Sequence, residues 1–196
     1  RVIPAQMQQT LSKAKQLIDL SRNDSSIYYL SPLIQQLEEQ KLTHTSFFLD
    51  VTLNLGIAHA DDNQNVQAMR ILNTVKDQSR IKGQWQIYAE SCLGLAQLQQ
   101  KLIRPNQAKT NLDDARSAIV QHGLNATYPA LAIGSASWHS NFGYPDSVRY
   151  FALEAIKTAE AFKLPFLLAD GHTLMGFYEE EGEPQAAIKH HEQSAG

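Results

Sequence analysis

The sequence has a single cysteine, no long apolar run and no excess of positive charge. Cys92 alone cannot form an intramolecular disulfide, which fits a reducing compartment. No apolar stretch approaches the roughly 20 residues that a membrane-spanning helix needs, and Arg1–Lys15 is too polar for a signal peptide. A net charge of −3 produces no field that attracts nucleic acid or anionic lipid. We therefore expect a cytoplasmic location, with no binding to nucleic acid or membranes.

Alternation of apolar and polar residues, which is typical of β-strands, is nearly absent. Apolar residues instead recur at spacings of three and four in every segment, which predicts amphipathic helices. With 196 residues, 43% of them hydrophobic, the chain can bury one core or one continuous array. The sequence begins without Met and stops within a helical pattern, so we expect a piece of a longer protein.

The periodicity and the turn residues predict ten helices in five antiparallel hairpins within a single domain. The hairpins cover about 5–40, 45–80, 84–122, 128–162 and 166–196, the last one truncated. Pro32 interrupts the second helix, and it either kinks that helix or begins a new one after Ser31. The polar run Asp61-Asp62-Asn63 is expected to end the third helix and to cap the fourth.

The stretch Tyr88–Leu124 is echoed forty positions later as Tyr128–Leu164. The matches superpose Tyr88 on Tyr128, Gly94 on Gly134, Ala96 on Ala136, Pro105 on Pro145, Ala115 on Ala155 and Leu124 on Leu164. Four apolar-Gly pairs extend the pattern: Leu55-Gly56, Leu93-Gly94, Ile133-Gly134 and Met175-Gly176. A fixed period of this size indicates a solenoid whose units bury their apolar faces against their neighbours.

The spacing of Leu55, Gly56, Ala68, Leu72 and Val75 resembles the tetratricopeptide repeat (TPR). Small residues there let paired helices approach closely, and bulky residues lock them. The other units depart from the motif, because fourteen residues rather than twelve separate Gly94 from Ala108. Units of about 40 residues are similar to the longer repeats in sensor and effector regions of bacterial signalling regulators.

The resemblance implies an all-α, right-handed solenoid without a β-sheet. It also implies a non-catalytic region of a larger bacterial signalling or transcription-regulatory protein, which binds another protein or a peptide. Two alternatives stay open: a dimerisation or structural spacer without a ligand groove, and a sensor domain for a small molecule or a pheromone peptide. A homodimer is compatible with each of these.

In TPR arrays the first helix of each hairpin lines the concave face. Transferring the groove positions by counting from each Gly gives these candidates: Asp50, Leu53, Tyr88, Ser91, Tyr128, Leu131, Trp138, Asp170, Thr173, Phe177 and Glu180. Such a groove is apolar and aromatic with acid at both ends, so it suits an amphipathic or basic-tailed segment. The alternative is that many of these side chains are ordinary core.

No pattern predicts catalysis, a cofactor or a metal. His191-Glu192 begins like a zinc-protease motif, but Ala195 stands where the second His is needed. Ser135 and His139 lie in a helical segment rather than in the strand–turn–helix context of a nucleophile elbow. The sequence therefore predicts a binding protein rather than an enzyme, with no metal site.

Overall fold

The computed structural model describes residues 2–180 and 193–194, and for Glu179 and Glu180 only the backbone. The described residues form α-helices and no β-strand, which confirms the predicted fold class. The helices are α1 (Ala5–Asp19), α2 (Asn23–Glu39), α3 (Ser46–Asp61), α4 (Asn65–Ile81), α5 (Trp85–Lys101), α6 (Pro105–His122), α7 (Tyr128–Phe142), α8 (Pro145–Phe162) and α9 (Pro165–Glu180). One 3₁₀ turn, Asn125–Thr127, precedes α7. The predicted tenth helix, from Pro184, lies outside the described residues.

A left-handed residue ends each of the first eight helices, and these residues recur almost every twenty positions. They are Ser21, Lys41, Asn63, Gly83, Ile103, Gly123, Gly143 and Lys163, all with positive φ. In each turn the next amide donates to the carbonyl five residues earlier, as Arg104 N does to Gln99 O at 2.8 Å. This is the Schellman motif, which satisfies carbonyls that the helix end leaves open.

Short turns make consecutive helices pack side by side, as α1 does with α2, α3 with α4, and α7 with α8. We call the first helix of each predicted hairpin an A helix (α1, α3, α5, α7, α9) and the second a B helix (α2, α4, α6, α8). The chain divides into two compact units, residues 1–98 and residues 99–196, with the boundary inside α5.

In unit 1, α2 packs between α1 and α3, α3 packs on α4, and α1 also contacts α3. One apolar cluster joins α1, α2 and α3 through residues such as Leu11, Leu30 and Val51. A second cluster joins α3 and α4 to Ile87 and Leu95 of α5. The A helices of this unit therefore lie next to one another in the order of the chain.

The helix α2 runs without a break through Pro32. The alternative in which Ser31 and Pro32 begin a new helix is therefore wrong. Leu30, Leu33 and Leu37 are buried on both sides of the proline, and each buried leucine stabilises the helix by about 1.5–3 kcal/mol. Their sum exceeds the cost of about 3 kcal/mol for an interior proline.

The prediction that the run Asp61-Asp62-Asn63 caps α4 is also wrong. Asn63 adopts the left-handed conformation that ends the α3 turn, so its side chain is not placed to cap the following helix. Gln64 occupies the N-cap position and makes no capping hydrogen bond through its side chain.

In unit 2, α7 packs on α6 and α8, and α9 packs on α8 and α7. Alanines on α7 and α8, including Ala136 and Ala152, are completely buried and meet Met175 of α9. Small residues at these positions let the helix axes approach closely. Pro105 and Pro145 occupy the first turns of α6 and α8, as the sequence predicts.

Candidate functional site

Three A helices of unit 1 contribute to a polar site on the face where they lie side by side. We call it the A-helix site and define it by Lys15 of α1, Asp50 and Asn54 of α3, and Gln86 and Glu90 of α5. The Lys15 ammonium contacts both oxygens of the Asp50 carboxylate, at 2.9 and 3.0 Å. Asn54 Nδ2 donates to Oδ1 of the same carboxylate at 2.9 Å. Asp50 is therefore held in place from two helices.

The Glu90 carboxyl is the most desolvated acid of this site. Burial raises its pKa, and the hydrogen bond from Gln86 and the Lys15 charge offset this only in part. The negative charge of Asp50 raises the Glu90 pKa further. Lys15 also acts on Asp19, whose pKa is raised by desolvation. The Lys15 ammonium thus pairs directly with Asp50 and acts through its charge on the Glu90 and Asp19 carboxyls.

The acids recur at a spacing of forty residues along the chain. Asp50, Glu90 and Asp170 occupy the first, second and fourth positions of this register, and Ala130 occupies the third. In unit 2, Asp170 lies at the surface of α9, and the desolvation of its carboxyl raises its pKa. Three A helices, α3 and α5 of unit 1 and α9 of unit 2, therefore carry an acid at the same position of the forty-residue register.

The predicted groove residues of unit 1 fall into two groups. Asp50 lies in the A-helix site, half-buried beside Lys15. Leu53 and Ser91 are buried, with 1% and 0% exposed, and Ser91 Oγ donates to the Tyr88 carbonyl at 2.8 Å. The Tyr88 side chain packs edge-on against Trp85 and lies within 5.9 Å of the Lys76 ammonium on α4. These three side chains belong to the core between A and B helices.

In unit 2, the predicted residues of α7 face α6 and α8. Trp138 Nε1 donates to the Pro105 carbonyl of α6 at 3.0 Å, and its ring stacks on Tyr144 at 5.7 Å. Leu131 is buried. Desolvation raises the pKa of Tyr128, and so do the nearby charges of α8. This stripe is therefore the packing face of α7.

The predicted residues of α9 lie closer to the surface. Phe177 is 59% exposed, and Phe166 on the same stripe is 51% exposed. Thr173 is half-buried, and its hydroxyl donates to the Ala169 carbonyl at 3.0 Å. The side chain of Glu180 lies outside the described part of the chain.

Glycine counting does not lead to Glu90, because the glycines from which the groove positions are counted are not equivalent, and it does not lead to Lys15, because α1 contains no glycine. A Cβ on Gly56 would meet Leu72 of its own hairpin at 2.8 Å, whereas one on Gly94 would meet Leu72 of the preceding hairpin at 3.5 Å. Counting back thirteen positions from the left-handed residues Asn63 and Ile103 leads instead to Asp50 and Glu90. The exact spacing of forty residues between the two acids could have revealed this register.

The candidate catalytic and metal-binding groups do not assemble into a reactive site in the part of the chain that is described. Ser135 Oγ donates within its own helix, to the Leu131 carbonyl at 2.8 Å. The His139 ring stacks on Phe151 at 5.4 Å. In residues 2–180 and 193–194, no group of three or more His, Cys, Asp or Glu side chains is arranged to hold a metal ion. His190 and His191 lie outside the described residues.

The fold of the whole chain matches solved repeat proteins. The structure of a putative kinesin light chain from Podosopora anserina with nearly identical TPR-like repeats superposes with a TM-score of 0.61 at 12% sequence identity. The match covers 100% of this chain and 96% of that one. The fold is TPR-like. A point variant of the same Podosopora protein matches with the same TM-score over 95% of its length.

At this sequence identity the TPR-like neighbours define the fold alone. No family model matches the chain, and no curated protein matches it. Among the described helices, none is long and apolar enough to cross a membrane.

Proposed function

We propose that this chain is a non-catalytic, peptide-binding TPR-like region of a larger bacterial signalling or transcription-regulatory protein of the cytoplasm. The observation that supports this most is the A-helix site. Its carboxyls are partly removed from water, and the Lys15 ammonium is paired with Asp50. The partner is an amphipathic or basic-tailed protein segment whose Lys or Arg side chain supplies further positive charge.

The electrostatics of the site favour such a partner for a specific reason. Removing a carboxylate from water is unfavourable unless a cation or several donors replace the lost hydration. Lys15 pairs directly with Asp50, and its charge offsets the desolvation of the Glu90 carboxyl only in part. A guanidinium or ammonium group of the partner would bond to Glu90 and Asp50 and complete the pairing.

The α9 face of unit 2 offers the same chemistry with apolar neighbours. Asp170 lies between Phe166 and Phe177 on one stripe, and both aromatic side chains are more than half exposed. Exposed aromatic residues at an interface bury a large area for little loss of side-chain entropy. Phe177, Thr173 and Asp170 therefore stay in the proposed partner-binding set, together with Asp50.

The test is a peptide-display selection against the purified chain, followed by calorimetry of the selected peptides. We expect the selected peptides to contain Lys or Arg next to aliphatic residues. The double variant Asp50→Asn with Glu90→Gln should weaken binding at least tenfold, since both charges that hold the cation are lost.

The matched control is Asp113→Asn, which removes an exposed carboxylate paired with Lys109 on the surface of unit 2. This variant should bind the selected peptides like the wild type. Equal binding by the double variant would contradict the proposal. A concentration-dependent dimer that selects no peptide would favour the spacer, and a rise in melting temperature with a small molecule or pheromone peptide would favour the sensor domain.

A further inference from the structure

A groove between α1 and α2 of unit 1 is separate from the A-helix site. Its volume is about 470 Å³, which lies within the range of ligand-binding clefts. The described residues that line it are all uncharged, and they include Pro4, Met7, Tyr28, Tyr29, Pro32 and Gln36. A groove of this size whose described lining is uncharged is suited to a neutral ligand.

The floor and the wall of the groove differ in character. Met7 and Leu33 form the floor, with 5% and 2% of their surfaces exposed, because both belong to the core. Tyr28 stands on the wall and is 73% exposed. It meets the Tyr29 ring edge-on, with the ring centroids 5.6 Å apart. The groove therefore has a fixed apolar base and a large aromatic surface that is open to solvent.

Lys13 holds the second tyrosine in place. Its ammonium donates to the Tyr29 hydroxyl at 2.7 Å and lies 4.2 Å from the centre of that ring. The position of Tyr29 in turn supports the edge-on contact with Tyr28. A ring that is already positioned loses less entropy when a ligand packs against it.

The polar groups of the groove are neutral side chains that can donate as well as accept hydrogen bonds. The amides of Gln6 and Gln36 and the Tyr28 hydroxyl line it and are exposed. Neutral donors of this kind bond well to backbone carbonyls. No carboxylate lines the described part of the groove, so the acceptors that it offers to a sugar hydroxyl are neutral side-chain oxygens, which bond less strongly than a carboxylate.

A polyproline II segment has the complementary chemistry. Its proline residues have no N–H, and its carbonyls make no internal hydrogen bonds and need external donors. Proline rings pack against aromatic side chains, and the preformed helix loses little entropy on binding. We propose that the α1–α2 groove binds an extended proline-rich segment of a partner protein, with Tyr28 and Tyr29 contacting the proline rings and Gln6 and Gln36 donating to its carbonyls.

The test is calorimetric titration of the chain with an acetylated and amidated nonaproline peptide. We expect saturable binding, and we expect Tyr28→Ala to weaken it at least tenfold, as for a central aromatic contact. Tyr28→Phe should keep most of the affinity, because it keeps the ring. Tyr150→Ala removes a tyrosine of similar exposure, 58%, from unit 2 and should bind like the wild type.

Several outcomes would overturn the proposal. They are the absence of binding at millimolar peptide, equal binding by Tyr28→Ala, and equal binding of a Gly-Ser peptide of the same length. Binding of a maltooligosaccharide in place of the peptide would assign the groove to a sugar. A concentration-dependent dimer that Tyr28→Ala dissociates would assign it to a second copy of the chain. Far-UV circular dichroism checks that each variant stays folded, and the A-helix site is left unchanged by all of them.

Discussion

Ile103 ends α5 with a φ of 56°, and its side chain is 80% exposed. The left-handed conformation costs an L-residue about 1–2 kcal/mol, and a β-branched side chain is among the least tolerant. The exposed side chain gains little from burial in return. The conformational strain at Ile103 is therefore not offset by burial of its side chain.

We expect Ile103→Gly to stabilise unit 2. Relief of about 1–2 kcal/mol of strain outweighs the entropy that glycine adds to the unfolded chain, about 0.4–1 kcal/mol. The net gain should be about 0.5–1 kcal/mol, measured by urea unfolding. Gly123→Ala is the matched control, because φ there is 64° and nothing lies within 4 Å of a new Cβ. It should lose stability, and a loss in Ile103→Gly as well would contradict the strain argument.

His139 gives a pH-dependent contribution of definite sign. Desolvation lowers its pKa below the usual 6.5, and the charges of Lys109 and Arg116 lower it further. Its Nδ1 atom is buried without a hydrogen-bond partner among the described residues. The folded state therefore prefers the neutral ring, and the unfolded state binds more protons below about pH 6.5.

We expect the melting temperature to fall as the pH decreases from about 7 to about 5, and the His139→Phe variant to lose part of this dependence. Phenylalanine keeps the stacking on Phe151 and cannot be protonated. An NMR titration should give a pKa for His139 below that of a free histidine. A pKa above the ordinary histidine value would show that the surroundings stabilise the charged ring.

At the scale of the element, two glycines of A helices in unit 1 predict opposite effects of the same substitution. A Cβ on Gly56 would lie 2.8 Å from Leu72 Cδ2 and 3.0 Å from Ile71 Cγ2, and Leu72 is completely buried. A Cβ on Gly94 would find its nearest neighbours at 3.5 Å, an ordinary contact distance. Only the first site therefore lacks room for a methyl group.

We expect Gly94→Ala to stabilise unit 1 by up to about 1 kcal/mol, the gain in helix propensity. Gly56→Ala should destabilise it, since overpacking costs about 1–3 kcal/mol and exceeds the same gain. Urea midpoints followed by circular dichroism compare the two variants in one unit. If Gly56→Ala were the more stable of the two, α3 and α4 would be able to separate without loss.

The helices could be predicted almost completely from the sequence, because three- and four-residue spacing directly reflects which face is buried. The turns at Gly83, Gly123 and Gly143 can also be predicted, because glycine favours the positive φ that ends a helix. The turns at Lys41, Ile103 and Lys163 cannot, because no sequence preference favours positive φ at these residues. The sequence does not decide whether α2 continues through Pro32, since the burial that offsets the proline depends on packing against α1 and α3.

At the scale of the whole molecule, the all-α TPR-like fold could be predicted because the forty-residue repeat extends along most of the chain. The single domain, the handedness of the array and the groove stay predictions. Glycine spacing does not predict the register of the candidate site. Leu72 lies in the same hairpin as Gly56 but in the hairpin before that of Gly94, so the two glycines are not at equivalent positions. The forty-residue spacing of Asp50 and Glu90 is the better guide, since both acids lie in the A-helix site of unit 1.

Lys15 links stability and partner binding in opposite directions. We expect Lys15→Gln to lower the stability of the chain, because Asp50 and Glu90 then repel each other without a cation between them. The same variant should bind a selected basic peptide several-fold more tightly, and added salt should reduce that gain. Calorimetry at low and high salt measures both effects. Weaker binding by Lys15→Gln would mean that the ammonium itself contacts the partner.

The left-handed turns also define how this chain can change length. The seven intervals between them measure twenty residues or, once, twenty-two, and each carries one helix with its own stop. A single helix, rather than a hairpin, is therefore the smallest segment that can be spliced in or out with both junctions intact. Removing one helix would turn each later A helix into a B helix and each later B helix into an A helix. Removing two consecutive helices would keep these roles. We therefore expect natural length variants to differ by multiples of about forty residues.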